Sequence, residues 1–196
     1  ADLTAVGNAE DYLRVSTNIS TALEIALGLQ RGMDVTQVFT FASAAMPIVA
    51  VLLTAAAPVH LYVGGAVAPF SEAQLETLRL LGADLTVHTG APSAHEGAVV
   101  LALEEALEEG SKVDGIVASS VLFIANPAAI DEAKILVIRK RMATPFTTPM
   151  AEAKLQELAG LPVTANTAEA SAEAVAEFHA HLQQLSGTEV NAAVSP

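Results

Sequence analysis

The sequence predicts an α/β protein: a single three-layer, Rossmann-like domain with six to seven mostly parallel strands and helices on both faces of the sheet. Two observations lead to this prediction. Residues 35–71 contain no Asp, Glu, Lys or Arg, as expected of the strands and helix at the centre of a core. Strand-like and helix-like patterns also alternate along the chain, which is typical of a parallel sheet covered by helices.

The uncharged stretch divides into a strand, a helix and a second strand. Residues 36–42 and 59–63 have strand patterns, residues 45–56 have an apolar helical pattern, and Gly64-Gly65 closes the unit. Because a βαβ crossover joins parallel strands, we expect these two strands at the centre of the sheet. A membrane helix is the alternative, since a run of this length can cross a bilayer.

Before this unit, the sequence predicts one strand and one helix. Residues 12–16 are rich in residues that favour strands. Asn18 is a residue type that caps helices, and Gly32 is suited to the position after a helix. We therefore expect a helix over residues 18–31.

After it, helices and strands continue to alternate. Ser71 and Gln74 have capping-box spacing before leucines at helical period, which predicts a helix over residues 71–81. Residues 84–88 alternate as a strand. Ser93 and Glu96 form a second capping box, which predicts a helix over residues 93–109.

The last third of the chain completes the pattern. An apolar run before a turn predicts a strand over residues 114–119, and Asn126-Pro127 predicts the start of a short helix to residue 133. The apolar segment 134–139 is predicted as a strand. The remaining predictions are a helix at 150–159, a strand at 162–165 and a helix at 169–185.

Length and composition predict one domain that associates with itself. A chain of 196 residues favours a single domain, which we place at residues 1–186, followed by a loose tail at 187–196. The hydrophobic share of 52% and the charged share of 16% leave more apolar surface than one small domain usually buries. We therefore predict a homo-oligomer.

The charge and the residues that are missing exclude several classes of function. A net charge of -13 repels phosphate backbones and anionic membranes, so neither nucleic acid nor a membrane is expected as a partner. The absence of cysteine excludes disulfides and thiolate chemistry. Cytoplasm is the default localisation, with a leader removed before Ala1 as the alternative.

A ligand site is predicted at the carboxyl ends of the strands, where α/β sheets bind ligands next to helix N-termini. Small hydroxyl residues and glycines fall there, and they let backbone N–H groups approach an anion. The alternative is that they are ordinary caps and turns. The predicted ligand-binding residues are Ser16, Thr17, Asn18, Gly90, Ser119, Arg139, Arg141 and Thr148.

The cationic part of this site comes from residues 134–141, which hold four of the nine basic residues. Arg139 and Arg141 follow a predicted strand and could bind a phosphate or carboxylate by charge-assisted hydrogen bonds. Solvent-exposed pairing with acidic neighbours is the alternative.

The histidines give weaker signals. His88 flanks a turn and is the candidate acid or base near neutral pH. His60 is expected in a core strand, and His179 and His181 point apart on a helix, so no metal site is predicted. The chain also lacks the G-x-S-x-G, Walker and G-x-G-x-x-G motifs.

Two short segments resemble the flavin-binding cysteine decarboxylase and prenyltransferase group. They are the Ser-Thr-Asn turn at residues 16–18 and the sequence TPFTTPM at residues 144–150. The resemblance implies a compact oligomeric α/β fold with flavin phosphate at the first turn. The chain lacks that group's PAMN-type loop and a matching catalytic histidine, so no site residue is transferred.

Two functions of different class follow from the sequence. The first is binding of a phosphorylated or carboxylated small molecule, with a flavin or nucleotide as the candidate cofactor, by a protein that could be an enzyme. The alternative is a non-catalytic structural or assembly protein that forms a homo-oligomer.

Overall fold

A computed structural model describes residues 17–66, 69–160 and 180. The strands predicted at residues 12–16 and 162–165 lie outside the described residues, as do the tail and, apart from residue 180, the helix predicted at residues 169–185. The five described α-helices are α1 (Asn18–Arg31), α2 (Met46–Thr54), α3 (Glu72–Leu80), α4 (Glu132–Met142) and α5 (Thr148–Leu158). The six described strands are β1 (Val38–Thr40), β2 (Val59–Tyr62), β3 (Leu85–His88), β4 (Val99–Leu103), β5 (Gly115–Ala118) and β6 (Val121–Ile124).

The fold is a mixed α/β arrangement around one six-stranded sheet. Its strand order is β1-β6-β5-β4-β2-β3. The pairings β3–β2, β2–β4 and β4–β5 are parallel, whereas β6 is antiparallel to both of its neighbours. The prediction of a mostly parallel α/β sheet is therefore confirmed.

The predicted centre of the sheet was wrong. Among the described strands, β1 lies at one edge and β2 lies next to the opposite edge, with β6, β5 and β4 between them. The cause is a hairpin that the sequence did not reveal: Ser119 adopts a positive φ of 56° and turns the chain directly from β5 into β6. This hairpin places β6 between β5 and β1.

Three other element predictions were wrong. Residues 134–139 lie in helix α4, which Asp131 caps by accepting from the backbone N–H of Lys134. The helix predicted at residues 93–109 is replaced by loop, by β4, all of whose residues are buried, and by a three-residue 3-10 helix at Glu104–Ala106. The short helix predicted after Asn126 is a turn instead. At α1, the cap is Thr17 rather than Asn18.

The core divides along the two faces of the sheet. Phe39, Leu122 and Ile124 belong to the larger cluster, together with buried residues of α2, α3 and α4. Val38 and Phe123 alternate with them along the strands and belong to a second cluster with α1 and α5. Alternate residues point to opposite faces, so each cluster occupies one face.

A third, smaller cluster lies on the same face as α1 and α5. It contains Tyr62, Val100 and Ala102, and Ala102 pairs in register with Ile116, which packs against the second cluster. Within the described ranges, no α-helix contributes to this third cluster. On this face, β2 and β3 carry the polar side chains of His60, Tyr62 and His88 next to the apolar residues of β4, and these polar side chains belong to the candidate site. None of the described helices has the length and apolar character needed to span a bilayer.

Candidate functional site

Three histidines meet on the sheet face beside Tyr62. Tyr62 pairs in register with His88, and His60 lies two residues before Tyr62 on the same strand. Because side chains alternate along a strand, all three point to one face. His95, from the loop between β3 and β4, stacks on His60 with ring centroids 3.7 Å apart and an interplanar angle of 11°. The fold thus gathers three imidazoles that are far apart in sequence.

Hydrogen bonds hold these rings in place. His60 Nδ1 lies 2.8 Å from His88 Nε2. The Tyr62 hydroxyl lies 2.7 Å from His95 Nε2 and 2.6 Å from Ser93 Oγ. Tyr62 is buried while the three histidines are half-buried. Each ring offers one nitrogen to the cluster, and these three nitrogens lie within 4.8 Å of one another.

The environment favours neutral imidazole at His60. Burial lowers the pKa of His60 below its ordinary value, the neighbouring His95 and His88 lower it further, and Asp84 opposes them. An imidazole in this state offers a nitrogen lone pair at neutral pH. The cluster can therefore accept a proton, a hydrogen bond or a metal ion.

An open cleft adjoins the histidine cluster, with His95 on its wall. Its volume is about 520 Å³. The apolar part of its lining includes Val100, Ile116 and Leu107, and the polar part includes Lys112, Ser111 and Glu108. The loop between β4 and β5 forms one side, so the cleft lies over the sheet face toward the amino ends of β4 and β5.

The polar groups of the cleft differ in whether they already bind another described residue of the protein. Asp114 accepts from the Val100 backbone N–H at 2.8 Å and from Asn126 Nδ2 at 2.7 Å, so both its oxygens hold the wall together. Lys112 is exposed and makes no ion pair with any described residue. Its ammonium is therefore available to a ligand.

The residues predicted for ligand binding are spread over the molecule. Ser16 lies outside the described residues. Thr17 caps α1 through the backbone N–H of Ser20, and Asn18 is the first residue of that helix. Ser119 forms the β5–β6 turn and Gly90 the turn after β3, each with a positive φ. Thr148 is the first residue of α5.

The predicted cationic residues lie far from Gly90. Arg139 is buried in α4 and donates to the carboxylate of Glu24 on α1, which binds Thr40 at the end of β1. Arg141 is exposed near the end of α4. Because β1 and β3 are opposite edges of a six-stranded sheet, about 24 Å separates them at the usual strand spacing. Arg139 and Gly90 therefore cannot contact one small ligand together.

The sequence did not predict the histidine cluster, and the reason is its spacing. His60, His88 and His95 are separated by 28 and 7 residues, so no local metal or catalytic motif contains them. Only knowledge that β2 and β3 are neighbours in parallel register brings His60 and His88 together. The alternation of His60 and Tyr62 with Val59 and Leu61 was the available signal for a polar face on β2.

No protein-family model and no curated protein matches this chain.

Proposed function

We propose that this protein binds a small organic anion, carboxylated or phosphorylated, in the cleft beside His95. The observation that supports this proposal best is the Lys112 ammonium, which has no ion-pair partner among the described residues and borders a cleft with an apolar lining. The cleft volume of about 520 Å³ falls within the usual range of small-molecule sites. The site differs from the sequence prediction, which placed the ligand at the carboxyl ends of the strands.

The charges around the cleft favour a ligand with few negative charges. Glu108 lines the same cleft as Lys112, and the chain carries a net charge of -13. A polyanion would be repelled by this field, whereas a monoanion could pair with Lys112 and place its apolar body on Val100 and Ile116. Simple aromatic carboxylates carry one negative charge and fit this preference. Flavin mononucleotide, whose phosphate carries a charge of about −1.5 to −2 at neutral pH, is the ligand to compare with them.

The test uses the intact protein and an aromatic sulfonate dye, anilinonaphthalene sulfonate, which combines one negative charge with an apolar body. Lys112→Met should weaken dye binding by up to about 1 kcal/mol, the range for an ion pair that stays exposed to water. Lys140→Met is the matched control, because Lys140 is exposed on α4 and its loss changes the net charge equally. Equal effects of the two substitutions would reject the cleft as the site.

Competition then separates the ligand classes. Displacement of the dye by flavin mononucleotide, or yellow colour in the purified protein, supports the flavin-like ligand. Displacement by an aromatic carboxylate alone supports the simpler anion. The chain has no Trp and two Tyr, so a bound flavin or nucleotide is readily seen in its absorption spectrum.

The proposed architecture is a three-layer, Rossmann-like domain. Its support is the division of the core into one cluster with α2, α3 and α4 and another with α1 and α5. β6 interrupts the parallel order that such a domain usually has.

Self-association, with packing as the function, is the second candidate. Leu80 and Leu81 at the end of α3 are each 79% exposed. They lie shortly before β3, which pairs with one strand, β2, among the strands that the structure describes. An exposed strand edge beside apolar side chains is suited to pairing with another chain, and a second copy of this protein would cover both.

A further inference from the structure

We propose that His60, His88 and His95 form a binding site for one divalent transition-metal ion, of which zinc is the best-fitting example. Each ring offers one nitrogen, and these three nitrogens lie within 4.8 Å of one another. No function derived above uses all three rings. The proposal concerns the metal alone and does not depend on whether the cleft binds an organic anion.

The distances are close to those that a metal ion needs. Zinc lies about 2.0–2.1 Å from each histidine nitrogen, so a tetrahedral ion holds its ligand nitrogens about 3.3 Å apart. His60 Nδ1 and His88 Nε2 are 2.8 Å apart, which is slightly closer than this. Coordination would require His60 and His88 to separate and to turn, because their bridging nitrogens face each other, with ring centroids 5.1 Å apart and an interplanar angle of 14°. His95 would also have to rotate out of its stack on His60, since a ring binds a metal ion through a lone pair in its own plane.

The elements that carry the histidines suit such an adjustment. His60 and His88 lie on adjacent paired strands, which fix two of the three ligands. His95 lies in the connection between β3 and β4, where Gly90 and Gly97 both adopt positive φ values. A loop ligand facing two strand ligands can move toward the ion without disturbing the sheet.

The chemistry of the donors selects the class of metal. Imidazole nitrogens suit zinc, cobalt, nickel and copper, whereas calcium and magnesium require oxygen ligands. The hydrogen bond between His60 and His88 requires one shared proton, and a metal ion would replace that proton as the link between the two rings. When both rings are neutral, the bridging proton moves to the other nitrogen of its own ring as the ion binds, so no net release of a proton is required.

Tyr62 and Ser93 provide the support that metal-binding histidines usually have. The Tyr62 hydroxyl holds His95 at Nε2 and is itself bound by Ser93. Hydrogen bonds of this kind fix the orientation of a ligand ring, and their loss typically weakens metal binding about 10- to 100-fold. Three protein ligands also leave a fourth position open to water or another small molecule.

Direct binding of Zn²⁺ to the intact 196-residue chain tests the site. We expect one ion per chain at micromolar protein concentration by equilibrium dialysis. His88→Ala and His95→Ala should each lower the affinity by more than about 100-fold, because each removes a ligand rather than its support. Tyr62→Phe should lower it by about 10- to 100-fold. Circular dichroism of each variant establishes that it is folded.

The two other histidines provide the matched control. The double substitution His179→Ala and His181→Ala alters residues outside the described ranges and leaves the cluster intact, so it should bind Zn²⁺ as the unaltered protein does. No binding by the unaltered protein would overturn the proposal, as would binding that survives His88→Ala and His95→Ala or is lost in this control.

The absence of cysteine allows a second test that locates the metal. His95→Cys introduces a single thiolate, and Co²⁺ bound there should show a sulfur-to-cobalt charge-transfer band in the near ultraviolet. Ser71→Cys, which lies at the exposed start of α3, should show none. Cobalt binding to His95→Cys without this band would show that residue 95 is not a ligand and would overturn the site.

Discussion

Arg139 on α4 donates to the carboxylate of Glu24 on α1, and the two side chains are only 5% and 7% exposed. The same Glu24 oxygen accepts from the backbone N–H and the hydroxyl of Thr40 on β1, at 2.9 and 2.8 Å. One buried carboxylate therefore joins two helices and an edge strand. This arrangement gives Arg139 a structural role, since it links α4 to α1 and, through Glu24, to β1.

Arg139→Met should destabilise the protein by about 3–5 kcal/mol, because it leaves the Glu24 charge buried without its cation. Urea unfolding followed by circular dichroism measures this. Lys140→Met, at the exposed neighbouring position, should change stability by less than about 0.5 kcal/mol. Adding Glu24→Gln to Arg139→Met should recover part of the loss, since it removes the buried charge and keeps an oxygen for Thr40. A stability loss below 1 kcal/mol for Arg139→Met, on the scale of an exposed pair, would contradict the buried-pair interpretation.

The contrast between α4 and β5 explains which parts of the fold the sequence could predict. Both segments carry short apolar runs, and periodicity alone does not separate a buried strand from part of a helix. α4 is a helix because Asp131 caps it and because Ile135 and Arg139, four residues apart, are both buried. Burial of an arginine required a partner on α1, and no local pattern contains that information.

The same reason limits prediction of the site. Strand existence was predicted for β2 and β3, but their adjacency was not, and His60 and His88 meet only because those strands pair. The cleft depends on the course of the β4–β5 loop, where a helix had been predicted. Composition and local pattern were therefore sufficient to predict the fold class, whereas prediction of the site required the strand order.

Gly64→Ala should destabilise the protein more than Gly82→Ala. Both glycines have a positive φ, of 58° and 84°, and a side chain there costs about 1–2 kcal/mol. At Gly64 an added Cβ would also lie 2.9 Å from the Ala106 Cα, whereas at Gly82 nothing lies within 4 Å. We expect about 1–3 kcal/mol more loss at Gly64, the usual cost of overpacking. Equal urea midpoints for the two variants would show that the contact with Ala106 relaxes freely.

Leu80→Glu combined with Leu81→Glu should reduce the oligomer to smaller species if this surface joins two copies. The reason is that both leucines are exposed shortly before β3 in the chain, and charges there would repel a second copy of the same surface. Light scattering coupled to size-exclusion chromatography measures the mass. Met142→Glu is the control, because Met142 is also exposed but ends α4 on the β1 side of the sheet. A monomeric mass for the unaltered protein would reject the proposed self-association.

Stability should fall as the pH is lowered through the range in which histidine titrates. The pKa of His60 lies below its ordinary value of 6.5 in the folded protein, first because of burial and then because of His95 and His88. The unfolded chain therefore binds a proton at His60 more readily than the folded one does. By linkage, the contribution of neutral His60 is fully present above about pH 6.5 and is lost as the pH falls below it.

The urea midpoint should be lower at about pH 5.5 than at about pH 7.5. The difference between the two midpoints should be smaller in His60→Gln, because glutamine does not titrate. Asp34→Asn is the control. Hydrogen bonds from Thr36 lower the pKa of Asp34 below its ordinary value of 3.8, so its contribution to stability is lost only in more acidic solution. Asp34→Asn should show the same difference in urea midpoint between the two pH values as the unaltered protein. An unchanged difference in His60→Gln would assign the pH dependence to groups outside the cluster.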